Sequence, residues 1–197
     1  RAIEDHFDNS VELESQLKET SKEYYIRDIQ DIIEKATFTY VRQKKMLGLG
    51  HAILTGEALI GNNPFAVILA DDLCINSDDS VLTQMIKVFD KYKCSVIAIE
   101  EVPTEDTNKY GIINGQLIDG SNDTFRVTDM IEKPDPKNAP SNMAIVGRYI
   151  LTPDIFKILK TIKPDKSGEI QITDALLNQA KQGNVIAYKF KGQRFDC

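Results

Sequence analysis

The alternation of apolar and polar positions divides the chain into segments of two different periods. Residues 9–35 read as helical: Asn9 and Ser10 offer N-cap groups ahead of VELESQLKE, and Ile26, Ile29, Ile32 and Ile33 fall on one stripe of IRDIQDIIEK. TFTYV at 37–41 alternates and predicts a strand. RQKKMLGLG follows as a loop with two glycines, and HAILTGEAL at 51–59 predicts a helix. In PFAVILADD at 64–72, Phe65 to Ala70 form a continuous apolar run. Such a run predicts a central strand buried on both faces of a parallel sheet. A helix over 80–92 and a strand over 95–102 complete a βαβ unit with a right-handed crossover.

Beyond Pro103 the texture changes. YGIINGQLI, FRVTDMIEK and NMAIVGRYIL read as strands with short links, and Asn114-Gly115 is a hairpin signal. Helical stretches return at 153–160 and 169–181, and VIAYKFKG and QRFDC are strand-like. With no repeat, low-complexity tract or linker, the expectation is one α/β domain with a mixed sheet.

Composition narrows the function classes. The 197 residues carry 24 basic and 30 acidic side chains, a net charge of −6, which argues against a protein that coats nucleic acid. Residues 1–35 hold ten acidic and five basic side chains, so the excess sits in one helical segment as a solvated face. No stretch approaches the roughly 20 apolar residues of a membrane span. Three cysteines, Cys74, Cys94 and Cys197, form no CxxC pair, so a reducing, cytoplasmic setting is expected.

Four places carry candidate chemistry. Asp71 and Asp72 follow a strand at its carboxyl end, where α/β sheets bind ligands and where a carboxylate holds a hard cation such as Mg²⁺. The same pair could simply turn the chain. Gly48 and Gly50, in the loop before a helix, allow backbone to approach a flat or anionic ligand. Beside them His51 has only His6 as a possible companion and is no metal ligand by spacing. Glu132-Lys133-Pro134 ends a strand: the Glu can accept hydrogen bonds from sugar hydroxyls and the Lys can neutralise phosphate, or the two can form a surface ion pair. Asp196 could be a second acidic ligand of the same cation.

RQKKMLGLGHA, PFAVILADDL, KYGII, MIEKP, APSNMAIVGRYILTP, GEIQITDAL and KGQRFDC occur in this order. Together they closely resemble the sugar-phosphate nucleotidyltransferase family, and within it the bacterial pyrophosphorylases that make UDP-glucose. The resemblance runs the length of the chain. It implies a Rossmann-like, GT-A-like three-layer αβα sandwich with a mixed, mainly parallel central sheet. It implies transfer of a nucleotidyl group from UTP to α-D-glucose 1-phosphate, giving UDP-glucose and pyrophosphate, with Mg²⁺ as cofactor and a homo-oligomeric assembly. By residue, it places Gln43 and Gly48 at the uracil base, Asp71 and Asp196 at Mg²⁺, and Tyr110, Gly111 and Gly147 around the glucose. Glu132 becomes the sugar-hydroxyl ligand and Lys133 the ligand of the sugar phosphate. Asp72 matches less clearly, and Thr173 and Asp174 would serve their local helix with Glu169 near the site.

The family opens with a G-x-G-T-R loop and a Pro-Lys motif, and neither occurs here. The expectation is therefore a chain that is a portion of a single nucleotidyltransferase domain and is inactive alone. A non-catalytic nucleotide-sugar-binding homologue, and a sister pyrophosphorylase using dTTP or another sugar 1-phosphate, stay open as alternatives.

Overall fold

Ser95–Glu101, a run of mostly apolar residues, forms a strand buried along nearly its whole length, and the core is built around it. This computed structural model describes Ser15, Thr20 and residues 23–196. Two units are distinguishable, residues 1–42 and residues 43–197. In the first, α1 spans Glu23–Lys35. The predicted helix start at Asn9 and Ser10, most of VELESQLKE, and His6 lie outside the described residues, as does Cys197. The strand predicted at 37–41 is not found. TFTYV alternates in sequence but has no neighbouring strand among the described residues, and alternation without a pairing partner makes no ladder.

The second unit contains α2 (Leu49–Thr55), α3 (Glu57–Ile60), β1 (Phe65–Ile68), β2 (Asp72–Ile75), α4 (Val81–Tyr92), β3 (Ser95–Glu101), β4 (Gly111–Leu117), β5 (Thr124–Glu132), β6 (Met143–Leu151), α5 (Ile155–Leu159), α6 (Ile172–Ala180), β7 (Val185–Lys189) and β8 (Gln193–Asp196). Helix α4 starts where its sequence says it should, with the Ser80 hydroxyl accepting from the Thr83 N–H at 3.1 Å. The helix expected at 51–59 is divided at Gly56 into α2 and α3.

Six strands form one sheet in the order β1-β6-β3-β7-β5-β4, and β2 and β8 form a separate antiparallel pair. Strands β1, β3, β7 and β4 run in one direction, but β6 and β5 are inserted between them antiparallel. This is the mixed sheet expected, with most described strands in one direction; β3–β7 is the parallel neighbour pair among them, because β6 lies between β1 and β3, the two strands of the expected βαβ unit.

Alternate side chains of the middle strands enter two cores. Ile97 and Ile99 of β3, with Val185 and Ala187 of β7, pack against α5 and α6 through Phe156, Leu159, Ala175 and Leu176. Val96, Ala98, Ile186 and Tyr188 face the opposite way, onto Val81 and Met85 of α4. This is the three-layer αβα arrangement, and it explains why β3 carries no polar alternation. Strand β1 behaves otherwise. Among the described strands it lies at the end of the order, and Ile68 is half exposed.

Asn114-Gly115 also plays a different part from the one predicted. It is a register shift inside β4 rather than the turn, because a Cβ at Gly115 would stand 3.0 Å from the Arg126 carbonyl. The reversal between β4 and β5 passes instead through Gly120, at φ +77°.

Candidate functional site

The chain leaves β1 through Leu69, whose N–H still donates to the Gly147 carbonyl at 2.9 Å. Past that bond the backbone turns into β2, and Asp71 and Asp72 face different surroundings. Asp71 is exposed, on the wall of a cleft of about 420 Å³. Asp72 is buried and already committed. One carboxylate oxygen accepts the Gly147 N–H at 2.6 Å, and the other is paired with the Arg194 guanidinium. Arg148 braces the same turn by donating to the Leu69 carbonyl at 3.0 Å and to the Asp72 carbonyl. Gly147 must be glycine for a local reason as well, since a Cβ there would come within 2.6 Å of Leu69 Cβ.

The opposite strand brings in the other acid. Asp72 pairs with Asp196 across the β2–β8 ladder. Arg194, on the same strand, donates to Asp196 at 3.0 Å and to Glu100 at 2.7 Å, and its guanidinium lies 5.1 Å from the centre of the Tyr110 ring. Burial opposes the charge of Arg194, but hydrogen bonds to Tyr110, Asp72 and Glu100 outweigh it and raise its pKa.

The third wall comes from the β4–β5 ladder, in which Gly111 faces Glu132. The strand ends abruptly. Lys133 takes a left-handed backbone at φ 44°, while its N–H donates to the Tyr110 carbonyl at 2.9 Å. A lysine held there carries strain of order 1 kcal/mol. The turn sends the chain into buried Pro134 and leaves the Lys133 side chain on the cleft. Gly48, at φ +85°, lies against the Glu169–Ile170 backbone, and the Gly50 N–H donates to the Ile170 carbonyl at 2.9 Å.

Asp71, Asp196, Gly48, Tyr110, Gly111, Glu132, Lys133 and Gly147 thus line one cleft, although they span most of the second unit in sequence. Gln43 is not on its wall; it stands behind Gly48, donating to that carbonyl at 3.1 Å and lying 2.9 Å from His51 Nδ1. Three residues on or beside the cleft were not assigned these contacts from sequence: Arg148, Thr173 and Arg194. The Thr173 hydroxyl lies 2.5 Å from Glu132 Oε2. Tyr149 also borders the cleft, and burial, reinforced by Glu132, Asp72 and Asp71, pushes its phenol well above the ordinary value.

Five carboxylates and three cations line the cleft. Among the described residues, no group of three or more His, Cys, Asp or Glu is placed to hold a metal ion by itself. Asp71 and Asp196 both border the cleft, and carboxylate oxygens are the hard donors that a divalent cation of the Mg²⁺ type would take.

A mixed sheet within three layers, with acids at strand ends and glycines beside an acid–lysine pair, is the arrangement of an α/β protein that handles phosphorylated ligands. The model of the family described as nucleotidyl transferase matches residues 7–195, and the chain belongs to that family. Over its whole length it is 60% identical to a UTP–glucose-1-phosphate uridylyltransferase of Pseudomonas aeruginosa, of which it spans 70%. It is 44% identical to the UTP–glucose-1-phosphate uridylyltransferase YngB of Bacillus subtilis, spanning 65% of that protein. The structure of an apo UDP-glucose pyrophosphorylase superposes with a TM-score of 0.94 at 59% identity, covering all of this chain and 72% of the other. A UDP-glucose pyrophosphorylase complexed with UDP-glucose gives 0.91 at 57% identity, covering all of this chain and 71% of that one. Among the described residues no helix is long and apolar enough to cross a membrane.

Proposed function

We propose that this chain belongs to an enzyme that transfers the uridylyl group of UTP to α-D-glucose 1-phosphate, giving UDP-glucose and pyrophosphate. The observation that carries the reading is the meeting of Glu132 and Lys133 with Asp71 and Asp196 in one cleft. The relatives named above act, by their names, in that reaction or bind that product.

In this reading an oxygen of the sugar phosphate attacks the α-phosphorus of UTP, and the bond from that phosphorus to the pyrophosphate oxygen breaks. The protein need supply no nucleophile, so its work is positioning and charge neutralisation. Glu132 accepts hydrogen bonds from sugar hydroxyls. Lys133 neutralises and aims the attacking phosphate. Tyr110, Gly111 and Gly147 form the floor under the sugar, with the two glycines allowing close approach. Gly48 lies against the uracil, and Gln43, placed with it at the base by the resemblance, acts from behind by fixing the Gly48 turn. Asp71 and Asp196 would hold Mg²⁺, which when bound offsets negative charge on the phosphates.

The family match over residues 7–195 supports treating the chain as part of a single nucleotidyltransferase domain. The free thiols Cys74 and Cys94 support a reducing, cytoplasmic setting, and the resemblance supports a homo-oligomer.

The test, made on the complete protein of which this chain is part, is formation of UDP-glucose with equimolar pyrophosphate from UTP, glucose 1-phosphate and Mg²⁺, with dTTP and galactose 1-phosphate as competing substrates. A preference for either competitor, or binding of UDP-glucose without turnover, overturns the reading.

A further inference from the structure

Thr173 is the second residue of α6, in a stretch whose sequence suggests only a helix start. The structure gives its hydroxyl another use. The preceding residue that caps α6, Gln171, contributes no side-chain capping bond. The Thr173 hydroxyl is not spent on its own helix, where threonines commonly bond back to the backbone. It crosses to β5 and meets Glu132 Oε2 at 2.5 Å. A carboxylate can only accept, so the threonine donates its single proton.

Three further facts fix what this bond does. Thr173 is buried, so water does not compete freely for its hydroxyl. Gly111 leaves the pair its space: a Cβ there would stand 3.1 Å from both Glu132 Oε2 and Thr173 Oγ1. Glu132 Oε1, by contrast, has no hydrogen-bond partner among the described residues, and the side chain borders the cleft. One oxygen of the carboxylate is anchored and the other is presented.

We propose that Thr173 is a positioning residue for sugar recognition: its hydroxyl holds Glu132 Oε2 so that Oε1 faces the sugar hydroxyls. This rests on the sugar-phosphate reading of the cleft. The structure ties the orientation of an acid at the end of β5 to the start of a helix 41 residues further along the chain. Thr173 itself makes no contact with the reacting phosphates in this scheme. Its effect falls on binding of the sugar and not on binding of the nucleotide.

The experiment, made on the complete protein, compares Thr173→Val, which keeps the shape and removes the hydroxyl, with Thr173→Ser, which keeps the hydroxyl. Equilibrium binding of UDP-glucose and of UDP is measured for each, with the KM for glucose 1-phosphate and for UTP. The expected result for Thr173→Val is a roughly tenfold weaker affinity for UDP-glucose and a similar rise in the KM for glucose 1-phosphate, the scale of one hydrogen bond to a charged group. UDP affinity and the KM for UTP stay within about twofold, and Thr173→Ser restores most of the loss. Equal losses for UDP and UDP-glucose, no loss in Thr173→Val, or a Thr173→Ser as impaired as Thr173→Val each overturn the proposal. A wild type that binds UDP-glucose no better than UDP overturns the sugar reading, and this proposal with it. A wild type that discriminates between the two beside an unaffected Thr173→Val overturns the proposal alone.

Discussion

Arg194 and Asp196 stand two residues apart on β8, and the guanidinium of the first holds the carboxylate of the second at 3.0 Å. The same guanidinium neutralises buried Asp72 and reaches Glu100. One cation thus orders three carboxylates, of which Asp196 alone is largely exposed to the cleft.

Removing that cation should cost stability as well as activity. Arg194→Met leaves the Asp72 carboxylate buried without its counter-charge. Breaking such a pair from one side costs about 3 kcal/mol or more. Urea titration should show that loss, and Asp72→Asn combined with Arg194→Met should recover part of it. A single variant as stable as the wild type would remove Arg194 from this role.

Asp71 should behave in the opposite way. It is exposed, and among the described residues no hydrogen bond holds it, so Asp71→Asn should leave the unfolding midpoint unchanged. In the complete enzyme its turnover at saturating Mg²⁺ should fall by about 100-fold or more, on the scale of losing one charge-stabilising group. Near-normal turnover would sink the assignment of Asp71 to the cation.

Lys133 combines strain with function. At φ 44° a glycine is more comfortable than a lysine. Lys133→Gly should therefore be as stable as the wild type, or more stable by up to about 1 kcal/mol, while losing most of its turnover. A thermal melt beside a rate measurement separates the two effects, and a variant both unstable and inactive would contradict them.

Asp165 gives a pH signature close to the cleft. Hydrogen bonds from the Ser167 hydroxyl, Gln171 and the Glu169 N–H hold its carboxyl well below the usual carboxylate range. A group depressed in the folded state stabilises it above the unfolded value of about 4, and that contribution fades as pH falls toward the folded value. The amide resonances of Ser167 and Glu169, both donors to Asp165, should hold steady from pH 7 to pH 4 and shift together below it. In Asp165→Ala that joint acid shift should vanish. Its persistence would assign the transition to another group.

What could be read from sequence followed from what was local. The helix at 81–92 carries its own N-cap and its own stripe, and β3 carries its own continuous apolar run, so both lie where periodicity places them. An apolar run does not say which strand will lie beside it, and the partner of β1 is β6, which comes later in the chain than β3. Nor does Asn-Gly say whether its glycine is needed for a reversal or for a register shift, which depends on the strand opposite. At the site, the acids and glycines stood out because their residue types suit the ligand chemistry. Arg194, Arg148 and Thr173 did not, because their roles are set by partners 122, 79 and 41 positions away.

The pairing of β2 with β8 also couples a charge to a position. Asp72 takes its counter-charge from a guanidinium 122 positions further along the chain, on a strand that lies outside the six-stranded sheet. That strand settles the buried acid and carries Asp196 to the cleft through one and the same guanidinium. A shift of β8 by one residue would therefore strand a charge in the interior and turn a cleft acid away together, so the register of one short ladder guards both.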